Sequence, residues 1–212
     1  MKTIEAVVVV LIIALGASLA LNYSLYASNQ QLKSAGLIPQ SVSTTNESLG
    51  LSLSVALSAT YLQPGQGISI TISEANTVNI LNTVNVGTEW QFSPLSDSPC
   101  GVGSYPMGLA ICQGYYTASN ISTAEALNVY AYGMYACPML YPLIYSYTFQ
   151  PMSNMASINP SGGFFMPMNS ALAGNGYWGM TAKDFHSFSP GIYTVAGGDE
   201  WGQLALLHFV VV

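Results

Sequence analysis

Residues that could coordinate a soft metal ion are present in this sequence, but they are widely separated. A copper electron-transfer site of the His₂Cys type needs two histidines, one cysteine and a weak methionine ligand. The candidates are His186, His208, Cys137 and Met139. Cys137 and Met139 form a Cys-Pro-Met stretch with no histidine nearby, and His208 lies in an apolar run typical of a hydrogen-bonded core histidine. The spacing does not support a metal site, and we predict no bound cofactor.

Acidic residues that could act in hydrolysis are adjacent in sequence rather than convergent. Asp199 and Glu200 directly precede Trp201, and neighbouring residues of a strand face opposite sides. No Gly-x-Ser-x-Gly elbow, phosphate-binding glycine loop or His-Glu-x-x-His motif occurs. We predict no catalytic residues and no enzymatic activity. Asp199 is expected to form a turn and Trp201 to pack over it, the alternative being an exposed tryptophan that contacts a glycan or a partner.

The charge composition excludes one large class of partners. Only 6% of the 212 residues are charged, against roughly 25% in typical soluble domains. The chain has three lysines and no arginine, and after residue 34 there are eight carboxylates and one lysine. A basic patch cannot form, so we predict no binding to nucleic acid. Few native ion pairs can be lost on acidification, which leads to the hypothesis that the protein works outside the cell in an acidic medium.

Three cysteines and two glycosylation triplets also bear on the compartment. Cys100 and Cys137 lie beside turn-forming residues, whereas Cys112 lies in an apolar run. In an extracellular domain this pattern favours a Cys100–Cys137 disulfide and a buried, free Cys112. Asn46 and Asn120 begin Asn-x-Ser triplets and are candidate glycosylation sites.

The N-terminal part of the chain predicts a membrane segment. An uncharged run between Glu5 and Lys33 begins with sixteen residues that are apolar except for Ser18. We predict a transmembrane anchor or signal segment over residues 1–27, a polar stalk over 28–46 and an extracellular domain over 47–212. The charge distribution places the C-terminal part outside the cell, in a single-pass protein of the cell membrane. Cleavage after Ala20 would instead release a secreted protein.

The remaining chain has the period-two pattern of β-strands. Residues 49–57 and 68–73 alternate apolar and small polar side chains around a Pro64-Gly65 turn. Residues 192–196 and 204–212 predict a closing hairpin, and the second arm is apolar at both parities.

The middle of the chain gives weaker signals. Four further strands are predicted, and two long stretches rich in Pro, Gly, Met and Asn are predicted to be connections. The strand candidates are residues 78–86, 106–116, 126–132 and 143–149, and the predicted connections are 151–167 and 171–179.

Two motifs resemble immunoglobulin-like and fibronectin-like sandwich domains. Pro64-Gly65 followed by Ile-Ser-Ile-Thr-Ile resembles their A and B strands, and Ser-Pro-Gly-Ile-Tyr-Thr-Val at 189–195 resembles the corner entering strand F. The resemblance implies that Tyr193 bonds back to the backbone as a tyrosine corner. It implies a mainly β fold, an Ig-like antiparallel β-sandwich with long insertions, preceded by one N-terminal transmembrane helix. Val195 occupies the position of the second antibody cysteine, so that disulfide is absent.

The whole pattern is similar to membrane-anchored or secreted cell-surface proteins of archaea with Ig-like domains. It implies a binding, adhesion or envelope-structural role, with the membrane as one partner and a surface protein or glycan as another. A cupredoxin-like redox or copper-binding ectodomain is one alternative. A pilin-like filament subunit is another, since Met-Lys-Thr-Ile-Glu before an aliphatic helix resembles the start of type IV pilins.

Overall fold

The chain divides into two compact units, Met1–Ile38 and Pro39–Val212. The computed structural model describes Ser18, Asn22, Tyr23, Leu95 and residues 39–93, 106–129, 144–159, 164–179 and 183–212. The three described residues of the first unit are helical and exposed. Within the described residues, none of the helices has the length and apolar character needed to cross a membrane. The rest of the predicted anchor lies outside the described residues.

The second unit is mainly β, as predicted, and its strands form several antiparallel sheets. The described strands are β1 (Gln40–Asn46), β2 (Leu51–Leu57), β3 (Tyr61–Leu62), β4 (Ile68–Asn76), β5 (Asn82–Asn85), β6 (Met107–Gln113), β7 (Ser146–Phe149), β8 (Met155–Asn159), β9 (Met166–Pro167), β10 (Asn169–Gly174), β11 (Gly176–Trp178), β12 (Phe185–Ser187), β13 (Gly191–Asp199) and β14 (Leu204–Val211). A short 3-10 helix spans Ile121–Thr123.

The first sheet has the order β1-β2-β4-β10 and contains both strands that the alternating pattern predicts. Its β2 alternates buried and half-buried residues, because small serines face outward and leucines and valine face the core. The Pro64-Gly65 turn is also confirmed, since Gln66 N donates to Gln63 O at 3.0 Å and Gly65 has φ +80°. β1 lies within the predicted stalk, so the compact unit begins at Pro39 rather than at residue 47.

The second sheet has the order β3-β14-β13-β6 and contains the predicted closing hairpin. Burial on both faces was expected for β14 but occurs in β13, which is paired on both sides and nearly fully buried. β14 alternates buried and half-buried residues instead. The outer face of this sheet is covered by a second apolar cluster that includes Phe92, Ile121 and Ala196.

A third sheet, β5-β7-β8-β9, and the β11-β12 pair occupy the middle of the sequence. The interpretation of residues 151–167 and 171–179 as connections was wrong, because these stretches contain β8 to β11. Their Asn, Gly and Pro residues have low strand propensity, and pairing with neighbouring strands overrides it. The predicted strand at 78–86 shortens to β5, and of the predicted strand at 126–132 only the bridges at Ala126 and Asn128 are described.

One hydrophobic core receives side chains from all three larger sheets. Tyr193 stacks on Phe209 at 5.0 Å between ring centroids, and Phe188 contacts both rings edge-on. The Tyr193 hydroxyl donates to Ser189 O at 3.0 Å, which is the backbone contact expected of a tyrosine corner. This bond satisfies the one polar atom of a ring that is otherwise buried in apolar surroundings.

β13 lies very close to the first sheet at Gly197. A Cβ atom there would collide with Val55 Cγ2 and come within 3.1 Å of Ile72 Cδ1. We expect Gly197→Ala to lower the free energy of unfolding by about 1–3 kcal/mol through overpacking. Denaturant unfolding measures the change. Gly67→Ala is the matched control, because the nearest atom is 3.6 Å away; equal stability of the two variants would contradict close packing at Gly197.

Candidate functional site

The described metal candidates do not form a common site. His208 on β14 is half-buried, and its Nε2 bonds Tyr116 O at 2.9 Å while its ring stacks on Tyr115. His186 on β12 is exposed. Cys137 and Met139 lie outside the described residues. Among the described residues, no group of three or more His, Cys, Asp and Glu side chains is arranged to hold a metal ion.

The expected disulfide lies outside the described residues, since both Cys100 and Cys137 do. Cys112 is free and buried in β6, as predicted. Burial raises the pKa of its thiol to about 11. The thiol is therefore protonated and unreactive at neutral pH.

The two candidate glycosylation asparagines differ in environment. Asn46 ends β1 and is half-buried, and its carboxamide accepts from Ser48 Oγ at 2.7 Å and donates to Trp201 O at 3.5 Å. Asn120 is exposed, and its Oδ1 accepts from Thr117 N at 2.7 Å. Of the two amide nitrogens, that of Asn120 is the more accessible to modification.

Several buried polar side chains of the domain lie near one end of the sheets. Residue Gln40 pairs with Leu57, whereas Asn46 and Asn76 both lie beside Leu51 at the opposite end of β2. The β13–β14 turn joins this second end through the contact between Asn46 and Trp201. We call the end that carries Asn46, Asn76 and the β13–β14 turn the distal end.

The β13–β14 turn is held by the buried carboxylate of Asp199. Its Oδ1 accepts from Trp201 N at 3.0 Å and from Gln203 N at 2.7 Å. Its Oδ2 accepts from Gln203 Nε2 at 2.6 Å. Asp199 thus forms the turn, as predicted. Trp201 is packed rather than exposed, as predicted, with 8% of its surface exposed and its Nε1 donating to Asn85 O at 2.8 Å.

Glu74 and Gln203 complete this polar cluster, and the sequence-based interpretation did not find them. Glu74 lies on the inner face of β4 and is fully buried. Its Oε1 accepts from Gln203 Nε2 at 3.3 Å. The signal was present in the sequence, because Glu74 has the same parity as Ile68, Ile70 and Ile72 and must face the core with them.

Burial shifts the pKa of both carboxyl groups in the cluster, and of the neighbouring Glu200, upward. The pKa of Glu74 rises well above its ordinary value because of burial and then because of the nearby Asp199 charge. Burial raises the pKa of Glu200 to about 7, although the Gly87 N–H that bonds its Oε1 at 3.0 Å acts in the opposite direction. Burial also raises the pKa of Asp199, and its hydrogen bonds to Gln203 and Trp201 oppose the shift.

A polar cleft of about 470 Å³ opens above the β13–β14 turn. Half of its described lining residues have hydroxyl or amide side chains, and Glu47 is the single charged residue among them. The lining residues are Thr44, Thr45, Asn46, Glu47, Gln91, Ala118, Trp201, Gly202, Gln203 and Leu204. Gln203 thus contacts both the cleft and the buried carboxyl groups.

Buried Asn76 fixes two loops at the distal end. Its Nδ2 donates to Ile80 O at 2.8 Å and to Gln150 O at 2.9 Å. Its Oδ1 accepts from Val78 N at 3.0 Å. One side chain therefore satisfies backbone groups from both loops and holds them together.

These two loops, residues 77–81 and 150–153, are called the apolar loops below. They expose Ile80 by 68%, Leu81 by 60% and Met152 by 66% of their surfaces. Met152 has φ +48°, a backbone conformation that a residue other than glycine adopts at a cost of about 1–3 kcal/mol. Its N–H donates to Val78 O at 3.0 Å, so the unusual conformation is held by a bond between the loops.

Comparison with known proteins yields no family for this chain. No protein-family model matches it. No curated protein matches it either. Among solved structures, a β-glucosidase from Erythrobacter marinus overlaps 82% of this chain and 16% of its own chain, with 9% identity and a TM-score of 0.35.

Two structures of β-glucosidase from Listeria innocua give a similar result. One is in complex with gluconolactone, with 7% identity, and the other is a mutant in complex with laminaribiose, with 6% identity. Both overlap 82% of this chain and 16% of their own, with a TM-score of 0.27. The chain thus corresponds to 16% of the length of these enzymes, and similarity at this level gives no basis for transferring an activity.

The raised pKa of Glu200 predicts how stability changes with pH. A carboxyl group whose pKa is higher in the folded state contributes stability at low pH and loses it as pH rises through about 7. We expect Glu200→Gln, which keeps an oxygen acceptor for Gly87 N–H, to flatten part of the decline in unfolding free energy between about pH 5 and pH 8. Glu125→Gln, which removes an exposed carboxylate, is the control and should keep the wild-type profile. A Glu200→Gln profile identical to wild type would contradict this assignment.

Proposed function

We propose that this chain is a membrane-anchored cell-surface protein whose Ig-like β-sandwich domain binds another protein through its distal end, without catalysis. The proposal joins three lines of support. The sheets share one core, an apolar segment precedes the domain, and the distal end exposes fixed apolar side chains.

The Ig-like assignment is supported by the packing of the two four-stranded sheets that contain β2 and β13. A Cβ on Gly197 of β13 would collide with Val55 of β2, which places the two sheets face to face. The hydrogen bond from Tyr193 to Ser189 O agrees with the strand-F corner of such domains. The third sheet corresponds to the long insertion that the sequence length requires.

The membrane anchor rests on the sequence of residues 1–27, and the location outside the cell follows from it. A chain that enters the domain at Pro39 and runs along β1 reaches the distal end at Asn46. The point where the chain enters the domain, Pro39, thus lies at the opposite end of β1 from the distal end.

The apolar loops are the observation that carries the binding role. Ile80, Leu81 and Met152 are each more than half exposed, although large apolar side chains are normally buried. Asn76 and the bond from Met152 N to Val78 O fix their backbones before any partner arrives. A preorganised surface loses little conformational entropy on binding, which favours recognition by these loops.

The chemistry of the loops favours a protein partner over a glycan. Residues 77–81 and 150–153 contain no charged residue, and their exposed side chains are mainly aliphatic or thioether groups, with Thr77 and Asn79 as the exposed polar ones. Such side chains fill apolar pockets of protein surfaces, where methionine is enriched. A binding role rather than catalysis is favoured by the burial of the acidic cluster, because Glu74, Asp199 and Glu200 are each less than a tenth exposed.

Lys183 provides a direct test of location. It is exposed, and it is the only lysine after residue 34. We expect a membrane-impermeant amine-reactive label, added to intact cells that make the full chain, to modify Lys183, as mapped by mass spectrometry. Lys183→Gln is the control and should lose that labelled peptide. Labelling that appears only after lysis would contradict a domain outside the cell.

The binding role predicts the effect of two substitutions in the apolar loops. We expect Ile80→Ser with Leu81→Ser to weaken chain-dependent adhesion between cells by about tenfold or more, since a buried interface contact contributes more than about 1 kcal/mol. The unfolding free energy should not fall, because both side chains are exposed.

Ile192→Ser is the matched control for that pair. Ile192 is 43% exposed and pairs with Val210 near the opposite end of the domain. A photo-crosslinking residue placed at Leu81 should form adducts with a partner on intact cells, and the same residue at Ile192 should not. Equal crosslinking at the two positions, or unchanged adhesion of the double variant, would refute binding through the apolar loops.

A further inference from the structure

Two oxygen atoms buried next to the β13–β14 turn have no hydrogen-bond partner among the described residues. They are Oε2 of Glu74 and Oε1 of Gln203. Glu74 is 0% exposed and Gln203 is 5% exposed, so water does not replace the missing partners at the surface. Leaving two acceptors unpaired in the interior is costly, and native proteins rarely do so.

The partnered atoms of the same two groups show how the groups meet. Gln203 Nε2 carries two hydrogens and faces two acceptors, Glu74 Oε1 at 3.3 Å and Asp199 Oδ2 at 2.6 Å. Both donor positions of the carboxamide are therefore used. The bond from Gln203 Nε2 to Glu74 Oε1 already joins the carboxamide to the carboxyl group. The two unpaired oxygens, Gln203 Oε1 and Glu74 Oε2, are the other polar atoms of these same two groups.

We propose that Glu74 is a neutral carboxylic acid in the folded protein and that its Oε2–H donates to Gln203 Oε1, closing a cyclic pair of two hydrogen bonds. A single proton taken from solvent then satisfies both unpaired oxygens. It also removes a second negative charge from the neighbourhood of the Asp199 carboxylate.

The proton is assigned to Glu74 rather than to Asp199 on the basis of their donors. Asp199 accepts two backbone N–H groups and one side-chain N–H group, all of which stabilise its ionised form. Glu74 accepts one N–H group, from Gln203. The donors therefore favour an ionised Asp199 beside a protonated Glu74.

The other elements around the pair bring no positive charge to replace the proton. In the described part of the chain, the charge of Asp199 on β13 acts on Glu74 and also on Glu200 in the turn. The strands β2, β6 and β10 contain no charged residue. Lys183 is exposed, and His208 is bonded to Tyr116 O.

The pair would couple the distal end to pH. Burial raises the pKa of Glu74 well above its ordinary value, so the stability that the neutral form contributes is present at low pH and lost as pH rises through that raised pKa. Gln203 lies between Glu74, the Asp199 turn and the polar cleft. Loss of the proton therefore breaks a bond at the wall of the cleft.

Glu74→Gln is the informative variant, because its Nε2–H can replace the acid O–H and its oxygen can still accept from Gln203. Infrared spectroscopy of the full chain at about pH 8.5, above the pKa of about 7 of Glu200, should show the carbonyl band of a protonated carboxylic acid. We expect Glu74→Gln to lose this band, and the control Glu200→Gln to keep it.

Each other result would overturn the proposal. Absence of the band in the wild-type protein at that pH means that Glu74 is ionised, and its persistence in Glu74→Gln means that another group carries the proton. If Glu74→Gln does not fold, carbon-13 NMR titration of the wild-type glutamate carboxyl groups decides the question. One glutamate should keep the acid chemical shift at that pH, and ionisation of every glutamate by that pH would refute the proposal.

Discussion

The structure of the distal end depends on one constraint. The fold buries carboxyl groups, and the chain has almost no positively charged side chains to pair with them. Asp199 solves this with N–H donors, since two backbone amides and the Gln203 side chain converge on its two oxygens. Among the described residues there is no arginine, and the one lysine, Lys183, is exposed, so no ion pair with lysine or arginine stabilises the three buried acids. Hydrogen bonding and protonation are the other ways to stabilise these carboxyl groups. Both connect the turn, β4 and the cleft into one cluster.

The same end shows how a rigid surface can be built without charge. Asn76 stabilises the apolar loops in the same way that Asp199 stabilises the hairpin turn. Its one buried side chain forms hydrogen bonds with backbone groups of both loops. Buried polar groups of this kind specify a single loop conformation when all of their partners are present. The exposed Ile80, Leu81 and Met152 are therefore held in place by the core beneath them.

The sequence predicts the parts of the fold in which side-chain period and turn chemistry agree. The alternation in β2 and β4, the Pro64-Gly65 turn and the β13–β14 hairpin are all found. The strands β8 to β11 were not predicted, because their pairing is set by neighbouring strands rather than by local propensity.

The candidate site was only partly predictable. The role of Asp199 in the turn could be predicted from its position before Gly202. Its burial could not, because nothing in the local sequence indicates that an acidic residue of a hairpin turn is buried. Glu74 could have been found by extending the alternation of β4 by one more step. Its pairing with Gln203, 129 residues away, requires the tertiary fold.

The raised pKa values of Glu74 and Glu200 make the folded state bind more protons than the unfolded chain. The most direct measurement is the number of protons exchanged on unfolding at about pH 6, obtained by calorimetry in buffers of different ionisation enthalpy. We expect about two protons to be released per chain, from Glu74 and Glu200. Proton uptake on unfolding, as in proteins whose native carboxylates are ionised and paired, would contradict the presence of neutral acids in the core.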